Sequence, residues 1–293
     1  MTVAVSTAQR ASSLGRCLAS LLAGDRIPEE IVVVDQSRDE ESRRVVDSLE
    51  ADGVSVVYVR DSGKGLSASR NLALARAARP IVSFIDDDCV ATPGWLSAIH
   101  SAFETSGASC VTGPVLPLGS PQDDRFAVSS RTDMTARSFV GTVAPWLAGT
   151  GGNLSLRPGS LGDGPVFDIR LGAGSPGRAG EDLDLLRRML RDGHSVRYSP
   201  EVVVLHEQQP LKRRLSTRFG YGHGVGAACS LWLRGGDRYG LQVLLAWLRM
   251  RLGLLAAGLR ERRAAALREE ALVVAGTLRG LLYGALVARR TPS

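Results

Sequence analysis

Three consecutive carboxylates, Asp86, Asp87 and Asp88, close the apolar run Ile81-Val-Ser-Phe-Ile85. Like charges crowded at the tip of a buried strand repel one another unless a cation or hydrogen bonds compensate them, so the triplet asks for a divalent metal. The plain alternative is a solvated strand-to-helix loop whose last Asp caps the helix after Pro93. Two other groups could join the same chemistry. His206 ends the run Val202-Val-Val-Leu205 and suits either an imidazole ligand or a satisfied structural histidine. Glu181-Asp182 opens a stretch whose Leu183, Leu185, Leu186, Met189 and Leu190 recur at helical spacing. A carboxylate there can take a proton from a hydroxyl, or simply complement the positive end of the helix dipole.

The elements that position these groups alternate. Val3-Ala-Val5 reads as a strand running to Thr7, and Leu14, Cys17, Leu18, Leu21 and Leu22 form a helical stripe after it. Ile31-Val-Val-Val34, a β-branched run suited to a strand buried on both faces, ends on Asp35. Val45, Val46 and Leu49 mark a second helix and Val54–Val59 a third strand. A loop from Arg60 to Ser69 follows, and Ser69-Arg70-Asn71 opens a helix that leads to the carboxylate strand. This alternation predicts an open, mostly parallel α/β sheet with helices on both faces. Ligands of such sheets bind outside the carboxyl ends of the strands, where Thr7, Asp35 and Asp86 to Asp88 would face one crevice.

Composition narrows the function. Apolar residues make up 44% and charged residues 23% of the 293, enough for a sizeable core and one large domain with an appendage. Cys17, Cys89, Cys110 and Cys229 lack any paired short spacing, which argues against a disulfide framework or a CxxC metal site and fits a reducing, cytoplasmic compartment. No basic segment followed by a long apolar one precedes the first strand, so no signal peptide is expected. The net charge of +6 belongs to the tail: residues 1–236 hold 26 Lys and Arg against 26 Asp and Glu, whereas residues 237–293 hold 10 against 4. A neutral body speaks against nucleic acid as a partner, and a basic tail suits an anionic surface.

The ordered set of strand-Thr7, Ile31-Val-Val-Val-Asp35, Gly63-Lys-Gly-Leu-Ser-Ala-Ser-Arg-Asn71, Phe84-Ile-Asp-Asp-Asp88, Pro93-Gly-Trp-Leu96, Gly149-Thr-Gly-Gly-Asn153, Phe167-Asp-Ile-Arg-Leu-Gly-Ala-Gly174, Gly180-Glu-Asp182 and Val204-Leu-His206 resembles family 2 glycosyltransferases of the GT-A fold. The likeness covers roughly residues 2 to 225. It implies an inverting enzyme that moves one sugar from a nucleotide-sugar donor to an acceptor hydroxyl, with Mg²⁺ or Mn²⁺ as cofactor. It implies Asp86 and Asp88 as an acidic pair, one near the ribose and one on the metal, with Asp87 able to share the role and His206 a ligand of the same ion. Asp182 would be the general base, with Glu181 its substitute if the register is off by one. Asp35 would accept the imide N–H of uracil or thymine, which points to UDP- or dTDP-sugars. Thr7 would bond the base or ribose, Arg70 the base or diphosphate, and the Asn153 amide the sugar hydroxyls, with the Gly149–Gly152 run letting backbone approach a ligand. The acceptor stays open among a glycan, a lipid-linked glycan and a small metabolite. No Gln-x-x-Arg-Trp segment of the processive synthases is present, which favours single transfer.

Two other classes compete. A sugar-nucleotide nucleotidyltransferase should carry a glycine-rich phosphate loop after its first strand, where this chain has Ala8-Gln-Arg10. A non-catalytic membrane-associated protein of the same fold should have lost the triplet or Glu181-Asp182, and both are present.

The expected organisation is a catalytic domain over 1–235, split at about 113 into nucleotide and acceptor halves, followed by amphipathic helices over 236–293. Leu241–Leu259 is interrupted by Arg249 and Arg251, and Ala271–Ala288 by Arg279, so a hairpin peripheral on the cytoplasmic membrane face is preferred to spanning helices. Packing on the catalytic domain, or on a second subunit of a homodimer, is the alternative. Residues 114–148 read as an acceptor-side insertion and Gly172–Gly180 as a mobile loop beside the base. In the basic helix Lys212–Arg218, Arg213, Arg214 or Arg218 could meet the diphosphate or an anionic acceptor, and the glycines of Phe219–Gly226 suit close helix packing.

Overall fold

β-Branched runs become strands and leucine stripes become the helices that cover them. In the computed structural model, which describes residues 1–120, 125–127, 129–162 and 164–287, β1 (Thr2–Thr7), α1 (Ala11–Leu22), β2 (Glu30–Asp35), α2 (Glu41–Asp47), β3 (Ser55–Arg60), α3 (Leu66–Arg76) and β4 (Val82–Asp86) follow in order. Next come β5 (Cys89–Ala91), α4 (Trp95–Ser106), β6 (Cys110–Thr112), β7 (Val115–Pro117), β8 (Arg125–Phe126), β9 (Arg137–Phe139), α5 (Pro145–Ala148) and β10 (Asn153–Leu156). The chain continues through α6 (Glu181–Arg191), β11 (Val196–Tyr198), β12 (Val204–His206), β13 (Gln209–Pro210), α7 (Leu211–Arg234), α8 (Tyr239–Arg260) and α9 (Ala264–Val287). Helix α3 starts at Leu66, before the expected Ser69. Its first turn is held by the Leu66 N–H donating to Ala173 O at 2.8 Å, a contact from a distant loop.

The central sheet has eight strands in the order β3-β2-β1-β4-β10-β6-β11-β9. β1 pairs parallel with β2 and β4, whereas β10 runs antiparallel to both β4 and β6, and β9 antiparallel to β11. The sheet is therefore mostly parallel, as expected, and takes strands from both sides of residue 113. Alternation along β1 and β2 sends Val3, Val5, Ile31 and Val33 to one face, against Leu14, Leu18, Leu21, Trp95, Ile99 and Phe103. Ala4, Val32 and Val34 point to the other face, against Leu185, Leu186, Met189 and Leu190. Burial on both faces is what the uninterrupted Ile31–Val34 run requires.

A second sheet, β5-β12-β7, stands beside the first. Its antiparallel register pairs His206 with Cys89, so the histidine arrives next to the triplet although 118 residues separate it from Asp88. Of the expected insertion, β8 pairs with β13 and β9 joins the edge of the central sheet; residues 121–124 and 128 lie outside the described residues.

The last three helices form a layer of their own. A Cβ at Gly222 would meet the carbonyl of Val273, one at Gly226 that of Thr277, one at Gly276 that of Phe219, and one at Gly280 that of His223. The pairs ascend together along both helices, so α7 and α9 run parallel with their backbones in contact. Small residues four apart on each helix are what permits this approach. Val225, Cys229, Trp232, Val243, Trp247 and Val273 form the core of the layer, with Leu171 joining it. The Trp247 indole donates to Thr277 Oγ1 at 3.0 Å and the Trp232 indole to Asp184 Oδ1 of α6 at 2.8 Å. The glycine-permitted packing expected for Phe219–Gly226 is realised, with α9 as the partner.

Candidate active site

A cavity of about 480 Å³ opens at the carboxyl ends of β1 and β4. Thr7, Arg10, Gln36, Ser69, Asp86, Asp87, Asp88 and His206 line one side of it, and Ser129, Arg178, Arg213, Ser216, Thr217 and Tyr221 the other.

The three carboxylates have different surroundings. Asp87 is 4% exposed, accepts from Thr7 Oγ1 at 2.8 Å and pairs with Arg10 Nη1 at 2.8 Å. Burial pushes its carboxyl up to about 6, the neighbouring Asp88 charge adds to the shift, and Arg10 and Thr7 oppose it. Asp88 meets the same Arg10 nitrogen at 2.8 Å through Oδ2, while Oδ1 faces His206 Nε2 at 3.4 Å. His206 Nδ1 lies 2.8 Å from the Glu207 carbonyl, which can only accept, so Nδ1 carries a proton and Nε2 is the nitrogen left to face Asp88. Nε2 and Asp88 Oδ1 thus face each other across 3.4 Å, a gap that a proton on Nε2 or a shared cation bridges. Asp86 and Cys89 bring ligand atoms into the same group, all within 4.8 Å of one another. The residues present fit a hard divalent ion: carboxylates and an imidazole oriented by its own backbone contact. Burial and the three neighbouring carboxylates push the Cys89 thiol well up, which leaves Asp86, Asp88 and His206 as the natural ligands.

Arg70 links the triplet to the Glu-Asp pair. Its guanidinium, on a residue 2% exposed, reaches Asp86 Oδ1 at 3.1 Å, Glu181 Oε1 at 3.0 Å and the Gly151 carbonyl at 2.9 Å, with the Phe84 and Phe167 rings beside it. A Cβ at Gly151 would stand 2.6 Å from Arg70 Nη1, and one at Gly152 would stand 2.7 Å from Asp86 Oδ2. The glycines expected to admit a ligand thus admit these two side chains. Glu181 is 7% exposed, and burial together with the Asp182 charge pushes it up to about 7 against the pull of Arg70. Asp182 is more open; its Oδ2 accepts from the Gly151 N–H and its Oδ1 from the Leu183 N–H, both at 2.8 Å. Neither carboxylate is among the cavity's lining residues; Arg70 connects Glu181 to Asp86 on the cavity wall.

Two expected contacts are placed elsewhere. Asp35 is fully buried, accepting from the Ser37 N–H and the Tyr58 hydroxyl at 2.7 Å each and from Arg60 at 3.2 Å; its neighbour Gln36 is the residue on the cavity wall. Asn153 is fully buried too. Both its N–H groups are taken by the Pro114 and Val202 carbonyls, at 2.9 and 2.6 Å, and its oxygen accepts from the Trp95 indole at 3.0 Å. It pins β10 to the chain around it and has no donor left for a sugar. Trp95 is a core residue, and Trp146 packs on Trp247 at 5.6 Å. The Gly172–Gly180 loop is tied down at its entry and its middle: Ser67 Oγ donates to Leu171 O at 2.7 Å, and the Pro176 carbonyl lies 3.1 Å from His223 Nε2.

Arg10, Arg178 and Tyr221 join the site without having been singled out. The signal for Arg10 was its place three residues after the end of β1, at the sheet's ligand-binding edge.

Residues 2–139 match the family described as glycosyl transferase family 2. The succinoglycan biosynthesis protein ExoM of Rhizobium meliloti is 27% identical over 205 residues, 68% of this chain and 62% of ExoM, so the chain spans about three fifths of that relative's length. Among solved structures, the mannosyltransferase PcManGT from Pyrobaculum calidifontis, in complex with GDP-Man and Mn²⁺, superposes with a TM-score of 0.62 at 17% identity, over 96% of this chain and 86% of that one. S. aureus TarS 1-349 in complex with UDP-GlcNAc gives 0.61 at 16%, over 99% and 91%. At such identities these two likenesses establish the shared GT-A fold.

Proposed function

The chain belongs to glycosyl transferase family 2, and on that premise we propose that it is an inverting, metal-dependent transferase moving one sugar from a nucleoside diphosphate sugar to an acceptor hydroxyl. The observation that carries the reading is the facing of His206 Nε2 and Asp88 Oδ1 at 3.4 Å beside Asp86, at the mouth of a cavity walled by strand ends. Mg²⁺ or Mn²⁺ held by Asp86, Asp88 and His206 would neutralise the charge developing on the leaving diphosphate. Thr7, Gln36 and Ser69 offer the nucleotide hydrogen-bonding groups on the same side.

Asp182 serves as general base, fixed by two backbone N–H donors and partly exposed. Glu181 is the second reading, favoured by a carboxyl pushed up to about 7, where it can take a proton near neutral pH. With its proton taken by this base, an acceptor oxygen on the side opposite the departing diphosphate bonds to the anomeric carbon as the bond to the diphosphate breaks, and the anomeric carbon is inverted. The apolar length of helices α8 and α9 supports a site for the enzyme on the cytoplasmic face of a membrane. They are long and apolar enough to cross one, but Arg249 and Arg279, exposed near their midpoints, suit the surface better.

A thermal-shift panel of UDP, dTDP and GDP with and without Mn²⁺, followed by sugar-nucleotide hydrolysis, tests the proposal. Metal-dependent stabilisation by one nucleotide is expected; full activity in excess EDTA refutes it.

A further inference from the structure

The side of the cavity facing the carboxylates is built differently. Arg213, Ser216, Thr217, Gly220 and Tyr221 share one helical face of α7, and Arg178 joins them with its guanidinium 5.4 Å from the Phe219 ring. Arg178 holds a left-handed backbone, φ 67°, which a non-glycine residue adopts at some cost. The groups on this side are donors, and among the described residues no Asp or Glu lines it. The basic run of α7 is divided by the helix: Arg214 and Arg218 turn away to Glu269 and Glu270 of α9, leaving Arg213 on the cavity. This is a receiving surface for an anion.

The same helix leads to an apolar exterior. Because α9 touches α7 without intervening side chains, its outer surface lies less than two full helix diameters, roughly 20 Å, from the cavity. That surface exposes Leu278, Leu282 and Leu286, and α8 exposes Leu241, Leu245, Leu252 and Leu259, each set a single stripe at helical spacing. Arg260, Arg262 and Arg263, all exposed, mark the turn between the two helices. Leucine stripes flanked by arginines complement an anionic bilayer.

We propose that the acceptor is an amphiphile: its phosphate-bearing headgroup meets Arg178 and Arg213, and its chain stays in the anionic bilayer on which α8 and α9 rest. The word acceptor rests on the transfer reading above; the headgroup site and the lipid surface do not. The donor diphosphate is the other source of phosphate, and the test separates the two.

The full chain, loaded with Mn²⁺ and UDP (or GDP, where that nucleotide binds), is titrated with farnesyl phosphate and with farnesol. Farnesyl phosphate is expected to bind where farnesol does not, and to bind about tenfold or more weakly to Arg178→Ala/Arg213→Ala, with nucleotide affinity unchanged. The chain is expected to float with phosphatidylglycerol vesicles and not with phosphatidylcholine ones, and Leu252→Glu/Leu282→Glu to abolish flotation while farnesyl phosphate still binds in solution. Equal binding of farnesol, or binding independent of the two arginines, overturns the proposal. A matching loss of nucleotide affinity in the arginine variant assigns both residues to the donor and overturns it as well. A dimer split by the leucine variant, with no flotation, gives the stripes to a second copy and overturns the membrane half. A chain that binds farnesyl phosphate through the arginines but takes no nucleoside diphosphate supports the site and refutes the transfer chemistry.

Discussion

The two flanks of the cavity are positioned by opposite means. On the acidic flank, strand register brings the strand-end side chains together: Ser6 stands opposite Asp86, Thr7 opposite Asp35, and His206 opposite Cys89. A slip of one residue would turn each of them to the other face of its sheet. On the helical flank, the absence of side chains sets the position, since α7 and α9 meet through glycines. The first flank is therefore vulnerable to the loss of one charge and the second to the gain of one methyl group.

The largest effect is expected on the acidic flank. Asp88→Ala removes a proposed ligand and the carboxylate facing His206 Nε2; turnover should fall about a thousandfold, some 4 kcal/mol of barrier, with Mn²⁺-dependent nucleotide binding lost in calorimetry. Retained metal dependence would leave the ion to Asp86 and His206. The helical flank comes next. Gly280→Val drives a side chain into the His223 carbonyl and should cost about 3 kcal/mol in denaturant unfolding. An unchanged midpoint would show that α9 is not clamped on α7. Asp182→Asn should bind donor normally and turn over about a hundredfold more slowly; near-normal turnover would transfer the role to Glu181.

The smallest effect is a pH dependence at the junction of the flanks. Glu181 is raised from 4.5 to about 7, so between those values the folded chain holds a proton the unfolded chain has released, and stability falls as pH rises through that window. Glu181→Gln removes this loss. The stability gap between variant and parent should shift in the variant's favour by about 2 kcal/mol between pH 4 and pH 6, measured by melting at both. No shift would mean that Arg70 already holds Glu181 ionised.

The same contrast explains what the sequence disclosed. The Ile31–Val34 run, the triplet at a strand tip and the leucine face of α6 each carry their meaning locally, so the alternating sheet and its acidic edge were legible. The antiparallel course of β10 was not, because Asn-Leu-Ser-Leu has no directional signal. Nor was the structural use of Asn153, whose partners Trp95, Pro114 and Val202 lie 58, 39 and 49 residues away. Arg10 needed β1 and β4 to be neighbours before a gap of 77 residues could close. The glycines of α7 announced close packing, but nothing near them named α9.

The parallel course of α7 and α9 also fixes an order of events during synthesis. Because α8 must run back before α9 can start alongside α7, a nascent chain that has emerged as far as residue 235 already holds the whole acidic edge but not the helix that backs Tyr221. Domains fold as they leave the ribosome, N-terminal parts first. The strand-end pocket and the α7 face that walls it are thus made early and the helix that clamps α7 last, so the enzyme acquires its leucine-striped exterior as a late step.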